Sequence, residues 1–204
     1  MLSRVYYVRH GATAWSDSGR HTGRSEIPLT DEGERRARGL AARLSPVRFV
    51  RVYSSPRARA RRTCELAGLG AAAEVDPDLA EWDYGQYEGL HSAEILGARP
   101  GWNLFRDGCP GGESPAQVCA RADRVIARLR ALEGNVALFS HGHFGRVLCA
   151  RWIGLPVGDG ERFLLDTASL GILALDRAGP APPAVELWNS RAPDNPSPAP
   201  QAPP

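Results

Sequence analysis

Lysine is absent from this sequence, and all 25 basic residues are arginine. Schiff-base chemistry, including pyridoxal-phosphate catalysis, needs a lysine, and so does the Walker phosphate-binding loop. The sequence therefore excludes both of these function classes. An arginine-only chain remains well suited to phosphate, because the planar guanidinium group presents a fork of donors that binds two oxygens at once.

Cysteine and long apolar runs are also scarce. The four cysteines have no close pair at metal-ligand spacing, so we expect reduced thiols and no structural zinc site. We also expect no other metal and no cofactor. No apolar run approaches the ~20 residues of a membrane span, and no signal-peptide pattern precedes the first strand. We expect a cytoplasmic protein without membrane contact. A net charge of +2 is too small to indicate a nucleic-acid partner.

The length of 204 residues and an apolar content of 43% fit one domain with an adequate core. We place this domain at residues 1–190. The remaining stretch, 191–204, is dominated by proline, alanine, asparagine and serine, and we expect it to be a flexible tail because it offers little apolar surface to bury.

Three apolar runs end in polar groups that can bind phosphate. They are residues 5–8 before Arg9-His10-Gly11, residues 49–53 before Ser54-Ser55-Pro56, and residues 135–139 before Ser140-His141-Gly142. The second run is followed by four arginines, Arg57, Arg59, Arg61 and Arg62. Strand ends in a parallel sheet lie side by side, so the three segments are expected to meet at one edge.

Helical patterns alternate with these strands. Thr30 and Ser114 are predicted N-caps, Pro56 is a predicted helix start, and a further helix is expected from Gly142 to about Trp152. Two later segments, 171–175 and 184–188, complete the set of strands. The alternation predicts an α/β fold with a parallel sheet, interrupted by an irregular, aromatic-rich excursion over residues 76–113.

The motifs resemble the histidine phosphatase superfamily, the phosphoglycerate-mutase-like proteins, over roughly residues 4–176. Four segments carry the resemblance in the same order: Arg9-His10-Gly11-Ala12-Thr13-Ala14-Trp15, Leu29-Thr30-Asp31-Glu32-Gly33, residues 54–63, and Ser140-His141-Gly142. The resemblance implies a three-layer αβα sandwich with a mostly parallel central sheet.

The resemblance also assigns roles in the site. It implies that His10 is a nucleophile that becomes phosphorylated, that Arg9, Arg59 and His141 grip the phosphoryl group, and that Glu81 is the proton donor. A neutral imidazole is nucleophilic near pH 7, and guanidinium groups stabilise a transferring phosphoryl group, so the residue chemistry agrees. Further residues are expected to bind substrate: Ser16, Thr22, Gly23, Gly142, His21, Trp82, Tyr84, Arg106 and His143. Ser16 stands where the family often has asparagine.

Within the superfamily, the 81–89 segment and residues 102–113 resemble the bacterial mutase-like acid phosphatases and the fungal sedoheptulose bisphosphatase. The longer insertion of phosphoglycerate mutases is missing between Glu81 and His141. We therefore expect hydrolysis of small phosphorylated molecules, with a sugar phosphate or bisphosphate favoured. Two alternatives remain: a phosphoglycerate mutase, and a non-catalytic phosphate-binding regulatory module. A homodimer is implied by the resemblance alone.

Overall fold

A computed structural model describes residues 2–176 and 181–191 of the chain. The strands of these residues are β1 (Leu2–Arg9), β2 (Phe49–Ser54), β3 (Ala73–Val75), β4 (Asn135–Ser140), β5 (Leu170–Asp176) and β6 (Ala184–Ser190). The α-helices are α1 (Ala14–Ser18), α2 (Asp31–Gly39), α3 (Ala41–Leu44), α4 (Ala58–Leu66), α5 (Ser92–Ala98), α6 (Leu104–Asp107), α7 (Pro115–Ala131) and α8 (Gly142–Trp152). Short 3-10 turns connect several of them.

The strands form one sheet in the order β3-β2-β4-β1-β5-β6. Strands β3, β2, β4 and β1 pair in parallel, whereas β5 and β6 add two antiparallel strands beside β1. The register places Phe139 of β4 opposite both Val8 of β1 and Ser54 of β2. The carboxyl ends of the three predicted strands therefore lie together at one edge of the sheet.

Strand β4 shows how the sheet separates two layers of helices. Side chains alternate along a strand, so Val136 and Leu138 point to one face while Ala137 and Phe139 point to the other. The first pair packs with residues of α7 and α8, and the second pair with residues of α3 and α4. This arrangement confirms the predicted three-layer α/β fold with a mostly parallel sheet.

Two predicted helix starts are present as hydrogen-bonded caps. The Thr30 hydroxyl accepts from the amide of Gly33, and Ser114 forms a reciprocal capping box with Gln117. Helix α4 begins at Ala58 rather than at Pro56, because the carboxylate of Glu26 accepts the Ala58 amide at 2.9 Å and caps the helix there. The predicted single helix after Thr30 is divided into α2 and α3.

The excursion over residues 76–113 is ordered, with α5, α6 and 3-10 turns that the sequence pattern did not indicate. Its aromatic side chains supply the order, since Trp82, Tyr84, Trp102 and Phe105 are all buried. Strand β3, which precedes the excursion, was also not predicted. An apolar cluster rather than a periodic pattern thus fixes this segment.

The predicted flexible tail lies outside the described residues except for Arg191, and the domain boundary at residue 190 stays a prediction. Among the helices described for residues 2–176 and 181–191, none has the length and apolar character that a membrane crossing needs.

We predict that Gly33→Ala destabilises the fold near His10. A Cβ atom at Gly33 would lie 2.2 Å from the carbonyl oxygen of Ala12, so the turn after His10 must move. We expect a loss of about 1–3 kcal/mol in the free energy of unfolding, measured by urea denaturation. The control is Gly97→Ala in exposed helix α5, where a Cβ atom meets nothing within 4 Å, and there we expect a gain of about 0.5–1 kcal/mol. Equal effects of the two changes would contradict this account.

Candidate active site

The candidate site begins where strands β1, β2 and β4 end. The His10 amide donates to the carbonyl of Ser140, and the Ser55 amide donates to that of Phe139, both at 2.9 Å, so the pairing continues past the strands. As a result, the rings of His10 and His141 lie side by side, with centroids 5.2 Å apart. The structure thus brings together the polar groups that the strand ends were predicted to deliver.

His10 has its reactive nitrogen free. Its Nδ1 lies 2.7 Å from the carbonyl oxygen of Gly11, which can only accept, so the proton of the neutral ring is on Nδ1. The Nε2 atom then carries an unshared electron pair. Burial, reinforced by the positive charges of Arg59 and Arg9, lowers the pKa of His10 well below its usual value. His10 is therefore a neutral imidazole with a nucleophilic Nε2.

His141 is held in place by a hydrogen bond to Ser55. Its Nε2 lies 2.7 Å from the hydroxyl oxygen of Ser55, which itself accepts from the amide of Arg57. With the Ser55 hydroxyl as the donor to Nε2, the ring proton of neutral His141 lies on Nδ1. Burial, together with the charge of Arg59, lowers the pKa of His141 well below its usual value. Nδ1 is buried without a hydrogen-bond partner, so a donor is available for a ligand.

Two guanidinium groups supply positive charge beside these rings. Arg9 donates through Nη1 to the carbonyl of Leu165 at 2.5 Å, and Arg59 donates through both Nη atoms to carbonyls of the 22–25 loop at 2.9–3.0 Å. The Nε atom of each arginine is buried without a partner. No carboxylate of the described residues forms a salt bridge with either group. Both groups thus keep a donor and a full charge for an anion.

The Glu81 carboxylate is bound by backbone amides at the start of helix α8. It accepts the amides of His143 at 3.0 Å, Phe144 at 2.8 Å and Trp82 at 2.9 Å. The residue is 8% exposed and lines the same cavity as His10. This position lets the carboxyl group exchange a proton with a ligand in front of His10.

The cavity has a volume of about 180 Å³. This is smaller than the about 300–1,000 Å³ of pockets for drug-sized ligands, so it suits a small molecule. The predicted residues on its wall are Arg9, His10, Ser16, His21, Thr22, Glu81, Tyr84, Gly142 and His143. Arg59 and His141 lie behind this wall, exposed by 1% and 0%, each in contact with a residue that lines it.

Three predicted substrate-binding residues are not on the wall. Trp82 is fully buried against Phe105, because its large apolar ring fills the core. Arg106 lies in a separate groove, since the inward face of α6 is taken by buried Leu104 and Phe105. Gly23 donates its amide to the carboxylate of Glu88 at 2.9 Å instead of facing the cavity.

Ser16 reaches the cavity, but its hydroxyl is already used. The Ser16 hydroxyl donates to the carbonyl of Thr13 at 3.0 Å and accepts from the Thr13 amide at 2.8 Å, which completes the cap of α1. A phosphate contact from Ser16 would therefore require the cap to open. Ser16, which stands where the family often has asparagine, therefore caps helix α1 together with Thr13.

The wall also includes cationic residues that the sequence analysis missed. Arg146 lies on α8 one turn after His143 and packs its guanidinium group 4.7 Å from the ring centroid of Phe105. Arg20 is exposed at the opening. Among the described residues, neither forms a salt bridge with a carboxylate. The spacing of His143 and Arg146, which places both on one helix face, was the signal available for Arg146.

Two further imidazoles share one wall of the cavity. His21 donates through Nδ1 to the carbonyl of Leu90 at 2.9 Å, which leaves Nε2 as an acceptor. His143 binds the Tyr84 hydroxyl through Nδ1 at 2.6 Å, and its ring lies nearly parallel to that of His21, with centroids 5.9 Å apart. Burial lowers the pKa of both histidines. These neutral groups suit hydrogen bonds to uncharged hydroxyl groups.

We predict that stability falls as the pH drops below about 6.5. The unfolded chain binds protons there, whereas buried His10, His21, His141 and His143 resist protonation because burial lowers the pKa of each. Each contributes at most about 1.4 kcal/mol per pH unit, and this stability is complete above the unfolded pKa. Urea denaturation between about pH 7.5 and 5.5 measures it. His10→Asn should give a shallower slope, and a flat wild-type profile would contradict the assignment.

Comparisons with known proteins agree with this geometry. The model of the histidine phosphatase superfamily (branch 1) matches residues 5–191. An acid phosphatase from Mycobacterium tuberculosis is 46% identical over 182 residues, covering 85% of this chain and 87% of the relative. Sedoheptulose 1,7-bisphosphatase from Saccharomyces cerevisiae is 33% identical over an alignment of 251 positions, which covers 92% of this chain and 93% of the relative.

A probable phosphoglycerate mutase from Cronobacter sakazakii is 33% identical over 179 residues, covering 83% of each chain. A solved structure of an open reading frame product from Mycobacterium tuberculosis superposes with a TM-score of 0.86 at 40% identity, covering 93% of this chain and 98% of that one. With the family match spanning the segments of His10 and His141 and most of the described fold, the chain belongs to the histidine phosphatase superfamily.

Proposed function

We propose that this chain is a phosphatase that hydrolyses small phosphate monoesters through a phosphohistidine at His10. One observation carries the proposal: His10, whose Nε2 is free, lies next to His141 and within the electrostatic reach of Arg9 and Arg59, and each of these three residues has a buried nitrogen without a hydrogen-bond partner. A nucleophile surrounded by donors without acceptors is suited to a tetrahedral anion. Relatives named acid phosphatase and sedoheptulose bisphosphatase support a phosphatase role.

In the first half-reaction, His10 Nε2 attacks the phosphorus atom and the ester P–O bond breaks. The leaving oxygen takes a proton from the Glu81 carboxyl and departs as an alcohol. Arg9, Arg59 and His141 stabilise the charge on the phosphoryl oxygens during transfer. The backbone amides of α8 that hold Glu81 keep its carboxyl at the leaving-group side.

In the second half-reaction, a water molecule attacks phosphorus and the N–P bond breaks. Glu81, now a carboxylate, accepts the proton of the water, and inorganic phosphate is released. His10 returns to a neutral ring with its proton on Nδ1. One carboxyl therefore serves first as acid and then as base, and the protons balance over the cycle.

The positive charge that phosphoryl transfer requires comes from the two guanidinium groups. We therefore propose a route that uses no metal ion or other cofactor. Fixed donors in a site shielded from water stabilise the developing charge more than the same donors would in water.

The substrate we propose is a sugar phosphate or bisphosphate. Arg20 and Arg146 lie on the wall without a carboxylate partner among the described residues, so a second anionic group on the substrate has cations to bind. His21 and His143 supply neutral partners for hydroxyl groups between the two anions. The small-molecule substrate is the only partner we propose. A homodimer and a cytoplasmic location stay predictions.

A phosphoglycerate mutase is the second candidate, because several relatives are named probable phosphoglycerate mutase, at identities of up to 33%. A mutase returns the phosphoryl group from His10 to a hydroxyl group of its substrate instead of giving it to water. The interval of 59 residues that separates Glu81 from His141 within the sequence lacks the long mutase insertion. Hydrolysis is therefore the function we favour.

We predict that His10→Ala abolishes phosphate release. The assay compares sugar phosphates, bisphosphates, 3-phosphoglycerate and an aryl phosphate, with and without a chelator. Wild-type release should resist the chelator, and His91→Ala, which changes a histidine outside the cavity wall, should stay active. Isomerisation of 3-phosphoglycerate with a bisphosphorylated primer would favour the mutase, and binding of phosphorylated ligands without turnover would indicate a regulatory module.

We predict that Arg146→Met weakens the binding of bisphosphates more than the binding of monophosphates. The change removes a cation from the wall and leaves the groups around His10 in place. The KM for a sugar bisphosphate should rise about 10-fold more than the KM for the matching monophosphate, which corresponds to about 1.4 kcal/mol of lost binding. Steady-state kinetics on the two substrates measure the ratio. An unchanged ratio would show that Arg146 does not bind a second anion.

A further inference from the structure

Arg121 is a buried cation that the proposed mechanism does not use. It lies on α7, its side chain is 9% exposed, and it is not part of the cavity wall. All three of its guanidinium nitrogens are nevertheless engaged in hydrogen bonds. Their acceptors cluster around one short segment of chain, the segment that carries Glu81.

The Arg121 guanidinium group binds backbone carbonyls of Glu81 and of residues just before it. Nη1 donates to the carbonyls of Asp78 at 2.8 Å and Ala80 at 2.6 Å, and Nη2 donates to that of Glu81 at 3.3 Å. These residues belong to no strand, so no sheet pairing fixes their backbone. Arg121 therefore fixes the path of the chain into Glu81, together with the Ser140 hydroxyl, which donates to the carbonyl of Leu79 at 2.7 Å.

Glu113 forms an ion pair with Arg121 and also binds the residues that follow Glu81. Its two carboxylate oxygens accept from Arg121 Nε at 3.0 Å and Nη2 at 2.8 Å. One of these oxygens also accepts the Asp83 amide at 2.9 Å, and the Glu113 carbonyl accepts the Trp82 indole N–H at 2.9 Å. The ion pair thus holds residues on both sides of Glu81.

Phe144 connects the pair to the carboxyl group itself. The Arg121 guanidinium carbon lies 4.5 Å from the centroid of the Phe144 ring, and the Phe144 amide donates to Glu81 Oε1 at 2.8 Å. Arg121 therefore touches both the backbone of Glu81 and the residue that binds its side chain. Arg121 therefore supports the position of the carboxyl in addition to the three backbone amides that bind it.

Resting on the proposed function, we infer that the Arg121–Glu113 pair positions Glu81 for proton transfer to the leaving oxygen. Arg121 acts through Glu81 and is a positioning residue, not a catalytic one. Stability alone gives little reason to bury these charges, because an apolar pair of similar volume is often equally stable. The planar fork, with donors in fixed directions, meets three carbonyls and a carboxylate at once, which no apolar side chain can do.

The test separates proton donation from all other contributions to catalysis. Single-turnover formation of the phosphoenzyme is measured with two substrates. 2,4-Dinitrophenyl phosphate has a leaving group that departs as a stable anion and needs no proton. Glycerol phosphate releases an alkoxide, which needs the proton of Glu81. A misplaced Glu81 slows the second reaction alone, whereas a damaged phosphate site slows both.

The variants are Arg121→Met and the apolar double variant Arg121→Met/Glu113→Leu, which leaves no unpaired buried charge if the single variant folds poorly. Arg151→Met is the matched control, since it removes an ion pair with Asp123 at the far side of α7. General acid catalysis contributes about 10²–10⁴-fold, so we expect the glycerol phosphate rate to fall at least about 10-fold. The dinitrophenyl phosphate rate should stay within about threefold, and the control should match the wild type on both substrates.

Each other result overturns the inference. Equal losses on both substrates, or no loss on either, would show that the pair does not position the acid. Failure of both variants to fold would make it a purely structural pair. If the wild type forms no phosphoenzyme from either substrate, the proposed function itself fails and the inference falls with it.

Discussion

The parallel pairing of β1 with β4 and of β4 with β2 is the constraint on which the rest of the site depends. It places His10, Ser55 and His141 one residue beyond their strands at a single edge of the sheet. Strand ends in parallel sheets point their following residues into a common crevice. A register shift of one residue would separate the two histidine rings and leave His141 without the hydroxyl group that orients it.

Electrostatics then makes this crevice specific for an anion. Burial keeps His10 and His141 neutral, while Arg9 and Arg59 keep buried donors that no group of the described residues satisfies. Unpaired buried polar groups are costly in a folded protein, so a bound phosphoryl group removes a cost as well as adding attraction. Burial lowers the pKa of both arginines, and the negative charge of Glu81 opposes this lowering. Glu81 therefore acts electrostatically on the same two arginines that we propose to bind the phosphoryl group.

The sequence predicted the parts of the site that sit on regular elements. Arg9, His10 and His141 follow apolar runs, and the structure places them together at the sheet edge. It did not predict Trp82 in the core or Arg106 in a separate groove, because the 76–113 segment has no periodicity from which a facing direction can be read. The orientation of His141 and the hydrogen bonds of Arg121 depend on contacts between residues far apart in the chain. The spacing of residues along the sequence does not reveal such contacts.

The most direct test of the account is to locate the phosphoryl group on the enzyme. The wild type is mixed with a phosphate monoester, quenched in denaturant at high pH, where phosphohistidine survives, and examined by mass spectrometry and by phosphorus–proton correlation NMR. The account predicts a single phosphoryl group on Nε2 of His10, because Nδ1 donates a hydrogen bond to the carbonyl of Gly11. A phosphoryl group on Nδ1, on another residue, or on none during active turnover would contradict it.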